Sequence, residues 1–174
     1  MFSNFNTLVD TTKIINWNTR SETEEDPVII FVSSWISLNY IYSSFARCVK
    51  DEYEQWRKSE KLRNGDKSEL IFFSRTKQVE ELISSLKYDS KNYEVKLPIK
   101  SGLDRRKPVP NDIEQTVNIL DLNAVDLFLV VYQARNNLFH GSKDPLECER
   151  DDQLCQVLSF FLRDFNRYFC KQYL

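Results

Sequence analysis

The chain has 174 residues, 24 of them Lys or Arg and 26 Asp or Glu, for a formal charge of −2. That length fits one domain, and 41% apolar with 13% aromatic residues is enough to build a core, so wholesale disorder is excluded. Near-neutral charge excludes a chain that holds polyanions by bulk electrostatics, leaving only a local patch for that role. Three glycines and five prolines are too few for a protein of many hairpins, and favour long helices.

Residues 1–25 read as an N-terminal extension closed by the acidic run SETEED. No basic segment followed by an apolar run marks a signal peptide. Asp26-Pro27 has the pattern of an N-cap followed by the first helical residue, with Glu24 and Glu25 adding favourable charge at that end. The helix is expected to run from Pro27 to about Lys61. Trp35, Leu38, Tyr42 and Phe45 recur at three- and four-residue steps and form its apolar stripe. Residues 28–46 carry no charge over nearly a membrane-spanning length. Five serines and Asn39 weaken that reading, and a buried helix is expected.

Asn64-Gly65 is a stop signal, after which residues 68–88 resume a helical period through Leu70, Phe73, Val79, Leu82, Ile83 and Leu86. An insertion at about 88–111 follows. Its stretch KLPIKSGLDRRKPVPND holds three prolines, a glycine, and Lys96, Lys100, Arg105, Arg106 and Lys107 against the acids Asp104 and Asp112. It reads either as a solvated loop or as a surface for backbone phosphates, the latter with steep salt dependence. Asn111 or Asp112 is expected to cap a short helix through Leu120. Another helix starts near Asn123 with the stripe Leu127, Val131, Ala134 and Leu138, and ends at Gly141. Asp144-Pro145 restarts the chain, and Leu154, Leu158, Phe161, Phe165 and Phe169 line the last helix. The sum is a single all-α domain over 1–174, an up-and-down bundle of four to five main helices.

Chemistry concentrates in ARNNLFHGS, residues 134–142, which contains the only histidine. Asn136 and His140 are four apart and share a helix face, which Tyr132 extends by one turn. Arg135 stands roughly 140° around from His140 and about 7.5 Å away in rise on an ideal helix. A loosened helix end, or a second copy of the helix across a two-fold axis, brings such groups into one pocket. Imidazole moves protons near neutrality, and guanidinium offers a planar fork for phosphate oxygens. Together they suffice for RNA cleavage without metal, in which the 2′-hydroxyl attacks the adjacent phosphate. The plainer alternative is that both side chains complement terminal carbonyls.

Other residues give weaker signals. Asn39 and Tyr132 are candidates to line the same pocket. Trp17 and Trp56 are candidates to stack bases, whereas Trp35 falls on the core stripe and is set aside. Cys48, Cys148, Cys155 and Cys170 form no CxxC pair, and with one histidine they make no usual zinc set, so free thiols in a reducing cytoplasm are expected. Asp89, Asp104 and Asp112 make no magnesium pattern, and neither a P-loop nor GxGxxG is present.

The run Arg135-Asn136-Asn137-Leu138-Phe139-His140-Gly141 resembles the signature of the HEPN superfamily, small all-helical domains with Arg, a polar residue and, a few positions on, His. The preceding VVYQ and the early helix SSWISLNYIYSSF, with Trp35 and Asn39, are similar to the family's arrangement. Residues 1–25 and 60–110 find no counterpart. The resemblance implies a two-fold homodimer with facing motif helices and a metal-independent endoribonuclease without cofactor, acting on RNA such as tRNA or mRNA. It implies a toxin or defence effector with an antitoxin or effector-complex partner. It carries catalysis onto Arg135 and His140, with Asn136 orienting one of them or the phosphate. Lys100, Arg105, Arg106 and Lys107 are candidate substrate contacts beside Asn39 and Tyr132. A subgroup carries a tyrosine two positions after the histidine, the target of its antitoxin; here Ser142 stands there, which puts that regulation in doubt. The alternative within the resemblance is a non-catalytic module that binds RNA or docks a partner. A further alternative is an unrelated helical interaction protein.

Overall fold

A computed structural model describes residues 5–87, 93–98, 114–139 and 149–174. In chain order these form α1 (Phe5–Leu8), α2 (Thr12–Thr23), α3 (Pro27–Cys48), α4 (Lys50–Ser59), α5 (Asp66–Ser74) and α6 (Lys77–Leu86). The strands β1 (Glu94–Pro98) and β2 (Glu114–Asn118), a 3-10 turn (Ile119–Asp121), α7 (Ala124–Phe139) and α8 (Glu149–Tyr173) follow. The result is an all-α bundle with one small antiparallel ribbon attached.

α3 is the centre, with α2, α5 and α8 packed around it. It starts where the sequence says: the Asp26 carboxylate accepts from the backbone N–H of Val28 (2.8 Å) and Ile29 (3.1 Å), with Pro27 in the first turn. Trp35, Leu38, Tyr42 and Phe45 are all buried. The serines in the uncharged stretch are what let neighbours approach. Ser33, Ser34, Ser37 and Ser44 are buried; Ser37 donates to the Ile14 carbonyl of α2 (3.0 Å), and Asn166 of α8 donates to the Ser34 carbonyl (2.8 Å). By length and composition alone α3 would also suffice to cross a membrane.

The hub of the core is Phe73 on α5, whose ring meets Phe45 of α3, Phe128 of α7, and Phe165 and Phe169 of α8 at centroid distances of 5.8–6.3 Å. Such tilted and edge-on pairs add about 0.5–1.5 kcal/mol each beyond area burial. α2, inside the stretch set apart in sequence as an extension, packs on both α3 and α8 and buries Ile14 completely.

Three sequence expectations are corrected. The helix expected from Pro27 to Lys61 breaks at Val49, whose backbone leaves helical geometry (φ −118°, ψ 44°). Beyond it, Tyr53 and Trp56 of α4 pack against Phe72 of α5. The helix expected over 68–88 is two helices, split at Arg75-Thr76. The Ile71 carbonyl still accepts from Arg75 N–H (3.3 Å) beside the Ser74 hydroxyl (2.9 Å), but the Phe73 carbonyl, which a continuing helix would offer to Lys77, is taken by the N–H (3.1 Å) and hydroxyl (2.9 Å) of Thr76. The helix expected through Leu120 is instead β2 and the 3-10 turn. Val117 pairs with Val95 across the ribbon, and Asn118 caps the turn by accepting from Leu120 N–H at 3.0 Å. β1 therefore begins within the segment read as loop insertion. Tyr93, just before it, donates to Asp164 of α8 (2.8 Å), fastening the ribbon to the bundle.

Candidate functional site

α7 begins on Asn123, which accepts from Asp126 N–H at 2.9 Å while its amide donates to the Asp126 carboxylate at 2.6 Å. This reciprocal cap fixes the start of the motif helix. Leu127, Val131 and Ala134 are buried and Leu138 partly so, which seats α7 on α5 and α6. The seating turns the next face, Tyr132, Arg135, Asn136 and Phe139, to the rim of the bundle.

Arg135 is half-buried among aromatic rings. Its guanidinium carbon lies 5.4 Å from the Trp35 ring centroid, 5.2 Å from Phe139 and 5.9 Å from Tyr132. Trp35 and Tyr132 in turn meet edge to face at 6.0 Å. One Nη donates to the Asn136 side-chain carbonyl at 2.8 Å, and Nε is shielded from solvent with no acceptor among the described residues. Nor does any carboxylate among the described residues pair with this guanidinium. A cation held by ring faces keeps its plane fixed and its hydrogen-bonding edge uncommitted to an anion.

Trp35 is held from the other side. Its ring is 6.0 Å from that of Tyr42, one of a polar trio that joins α3 to the start of α5. Tyr42 donates to the Asp66 carboxylate, Asn39 donates to the same oxygen at 2.6 Å, and the Asn39 amide also reaches the Tyr42 hydroxyl. Burial first, and then the hydrogen bond and charge of Asp66, hold the Tyr42 phenol far above the usual tyrosine range; Arg135 pulls weakly the other way. Burial and Asp66 thus favour the protonated phenol, which donates to the carboxylate.

The sequence-derived candidates divide accordingly. Tyr132, Arg135 and Asn136 come together on Trp35, and Asn39 lies one contact away through Tyr42. His140, Lys100, Arg105, Arg106 and Lys107 lie outside the described residues, as do Gly141, Ser142 and Cys148. The sequence reading missed Asp66 and Tyr42, and it set Trp35 aside as core. Trp35 is core, 2% exposed, and also the platform for Arg135. A signal was there: Trp35, Asn39 and Tyr42 are spaced i, i+4, i+7, which puts a polar residue inside an otherwise apolar stripe. Asp66, hidden behind the Asn64-Gly65 stop, had none.

No protein-family model, curated protein or solved structure matches the chain.

Proposed function

We propose that the chain is a metal-independent endoribonuclease of the HEPN type, acting in the cytoplasm as a toxin or defence effector. The observation that carries this reading is the Arg135 cradle. A guanidinium clamped on a buried tryptophan, tied to the motif asparagine and unpaired with any carboxylate among the described residues, is prepared for a phosphate. An arginine that merely complements helix-end carbonyls needs no such platform.

In the mechanism, the substrate's 2′-hydroxyl passes its proton to solvent water as its oxygen bonds to phosphorus. The bond from phosphorus to the 5′-oxygen breaks, and His140 supplies the proton that this oxygen takes up. Arg135 holds the charge that grows on the pentavalent phosphorus, and Asn136 fixes the guanidinium plane. The products are a 2′,3′-cyclic phosphate and a 5′-hydroxyl. Phe139, 56% exposed beside Arg135 at the end of α7, is apolar surface that a second copy would cover in a two-fold dimer of motif helices.

The test is incubation of the purified chain with total tRNA and a labelled single-stranded RNA in EDTA. Cleavage that survives chelation and disappears in Arg135→Ala and His140→Ala supports the nuclease. RNA binding without cleavage points instead to the non-catalytic module.

A further inference from the structure

Of the tryptophans that the sequence offers for base stacking, Trp56 stands away from the Arg135 site, and the structure builds a cleft on it. The cleft holds about 430 Å³ and is lined by Glu52 and Trp56 of α4, Phe72 and Arg75 from α5 and its end, and Thr76, Lys77 and Gln78 at the start of α6. That volume is in the range of small-ligand sites.

The cleft has a rigid floor and a movable wall. Trp56 rests against Phe72 at 5.1 Å and Tyr53 at 6.3 Å, and Phe72 stacks on buried Phe45 at 5.8 Å, so the indole is anchored to the core. Arg75 lays its guanidinium over the indole, 5.6 Å from the centroid. Its only ion pair among the described residues is to Glu60 at 3.4 Å, with both side chains about half exposed, so it is weakly held. Lys77, 84% exposed, adds a second cation at the rim, and Glu52 adds an acceptor. The indole N–H of Trp56 is shielded from solvent and has no acceptor among the described residues.

We infer that this cleft is a second RNA contact, taking one unpaired nucleotide of a single strand; this rests on the reading that the chain acts on RNA. The base stacks in the Trp56–Arg75 sandwich, because an indole face and a guanidinium plane both accept any base. Arg75 lifts from the indole to admit the base and closes over it, Glu52 accepts from a base N–H, and Lys77 turns from Glu81, with which it pairs at 3.1 Å, to the neighbouring phosphate. Asp66 begins α5 and Arg75 follows its end, a separation of roughly 14 Å by helical rise. The cleft shares no lining residue with the Arg135 cradle, so a strand that fills both must extend beyond the nucleotides held at Arg135.

The experiment measures anisotropy of a fluorescein-labelled 12-nucleotide oligouridylate with the full chain carrying His140→Ala, in EDTA. Adding Trp56→Ala or Arg75→Glu is expected to weaken binding about tenfold, the cost of one lost stacked base. Trp56→Phe, which keeps a ring, is expected to stay within threefold. It also guards against misfolding of the alanine variant, as does the surface position of Arg75. In chains with His140 intact, Trp56→Ala is expected to raise KM for the 12-mer and leave cleavage of a dinucleotide unchanged. Binding unaffected by Trp56→Ala and Arg75→Glu, or no binding at all, overturns the inference even where cleavage persists. Trp56-dependent binding in a chain that cleaves no RNA supports the cleft and overturns the nuclease reading instead.

Discussion

At Arg135 shape matters as much as charge. Lysine would keep the charge and lose the plane, so it could neither lie on Trp35 nor bond Asn136 and a phosphate together. Arg135→Lys is therefore expected to lower kcat by about 10²–10³-fold, the cost of removing a fixed donor to a developing oxyanion, with the thermal midpoint little changed. Two other buried groups set a pH limit. The Tyr42 phenol is held above its ordinary range by burial and by Asp66, and burial, with Glu22 nearby, pushes the Cys170 thiol up to about 11 from 9.0. Both are neutral when protonated, and the folded chain keeps those protons to higher pH than the unfolded chain does. The contribution of Cys170 is thus complete below pH 9 and is lost as pH rises through 11, whereas that of Tyr42 begins to be lost only above pH 10.0 and goes on falling beyond 11. The urea midpoint is expected to fall over that interval, and Tyr42→Phe and Cys170→Ala are expected to flatten the fall.

Among the elements, the legible ones carried a cap and a period together. α3 shows Asp26-Pro27 at its start and Trp35, Leu38, Tyr42 and Phe45 along its buried side, and α7 shows Asn123 and a four-three-four stripe. What the sequence concealed were interruptions without glycine or proline. Val49 leaves helical geometry between a helix packed on the core and one whose Tyr53 and Trp56 pack on Phe72, and neither it nor its neighbours carry a local stop signal. Thr76 ends one through its hydroxyl, which composition alone does not reveal. The ribbon was missed because only one strand, with Thr116 and Val117, looks extended, and its partner sits among prolines and lysines. The site was half legible for the same reason. Arg135 and Asn136 stand in a motif, whereas the platform beneath them depends on Asp66, 27 positions after Asn39. Element packing has its own test at Phe73, where α3, α5, α7 and α8 meet. Phe73→Ala is expected to cost about 3–5 kcal/mol, read as a lower urea midpoint, which is a large share of the stability of a domain this size.

Across the bundle, three helices converge on one rim. α3 supplies Trp35, Asn39 and Tyr42, α5 supplies Asp66, and α7 lays Arg135 across them, so the guanidinium is placed by three helices. With a net charge of −2, the molecule offers little long-range attraction to a polyanion, so the proposed RNA binding would depend on such local placements. The most direct measurement is of the ends left on RNA cut by the purified chain in excess EDTA. The expected result is 2′,3′-cyclic phosphate and 5′-hydroxyl termini, both absent when Arg135→Ala or His140→Ala is used. Intact RNA, or fragments ending in 3′-hydroxyl and 5′-phosphate, would contradict the account.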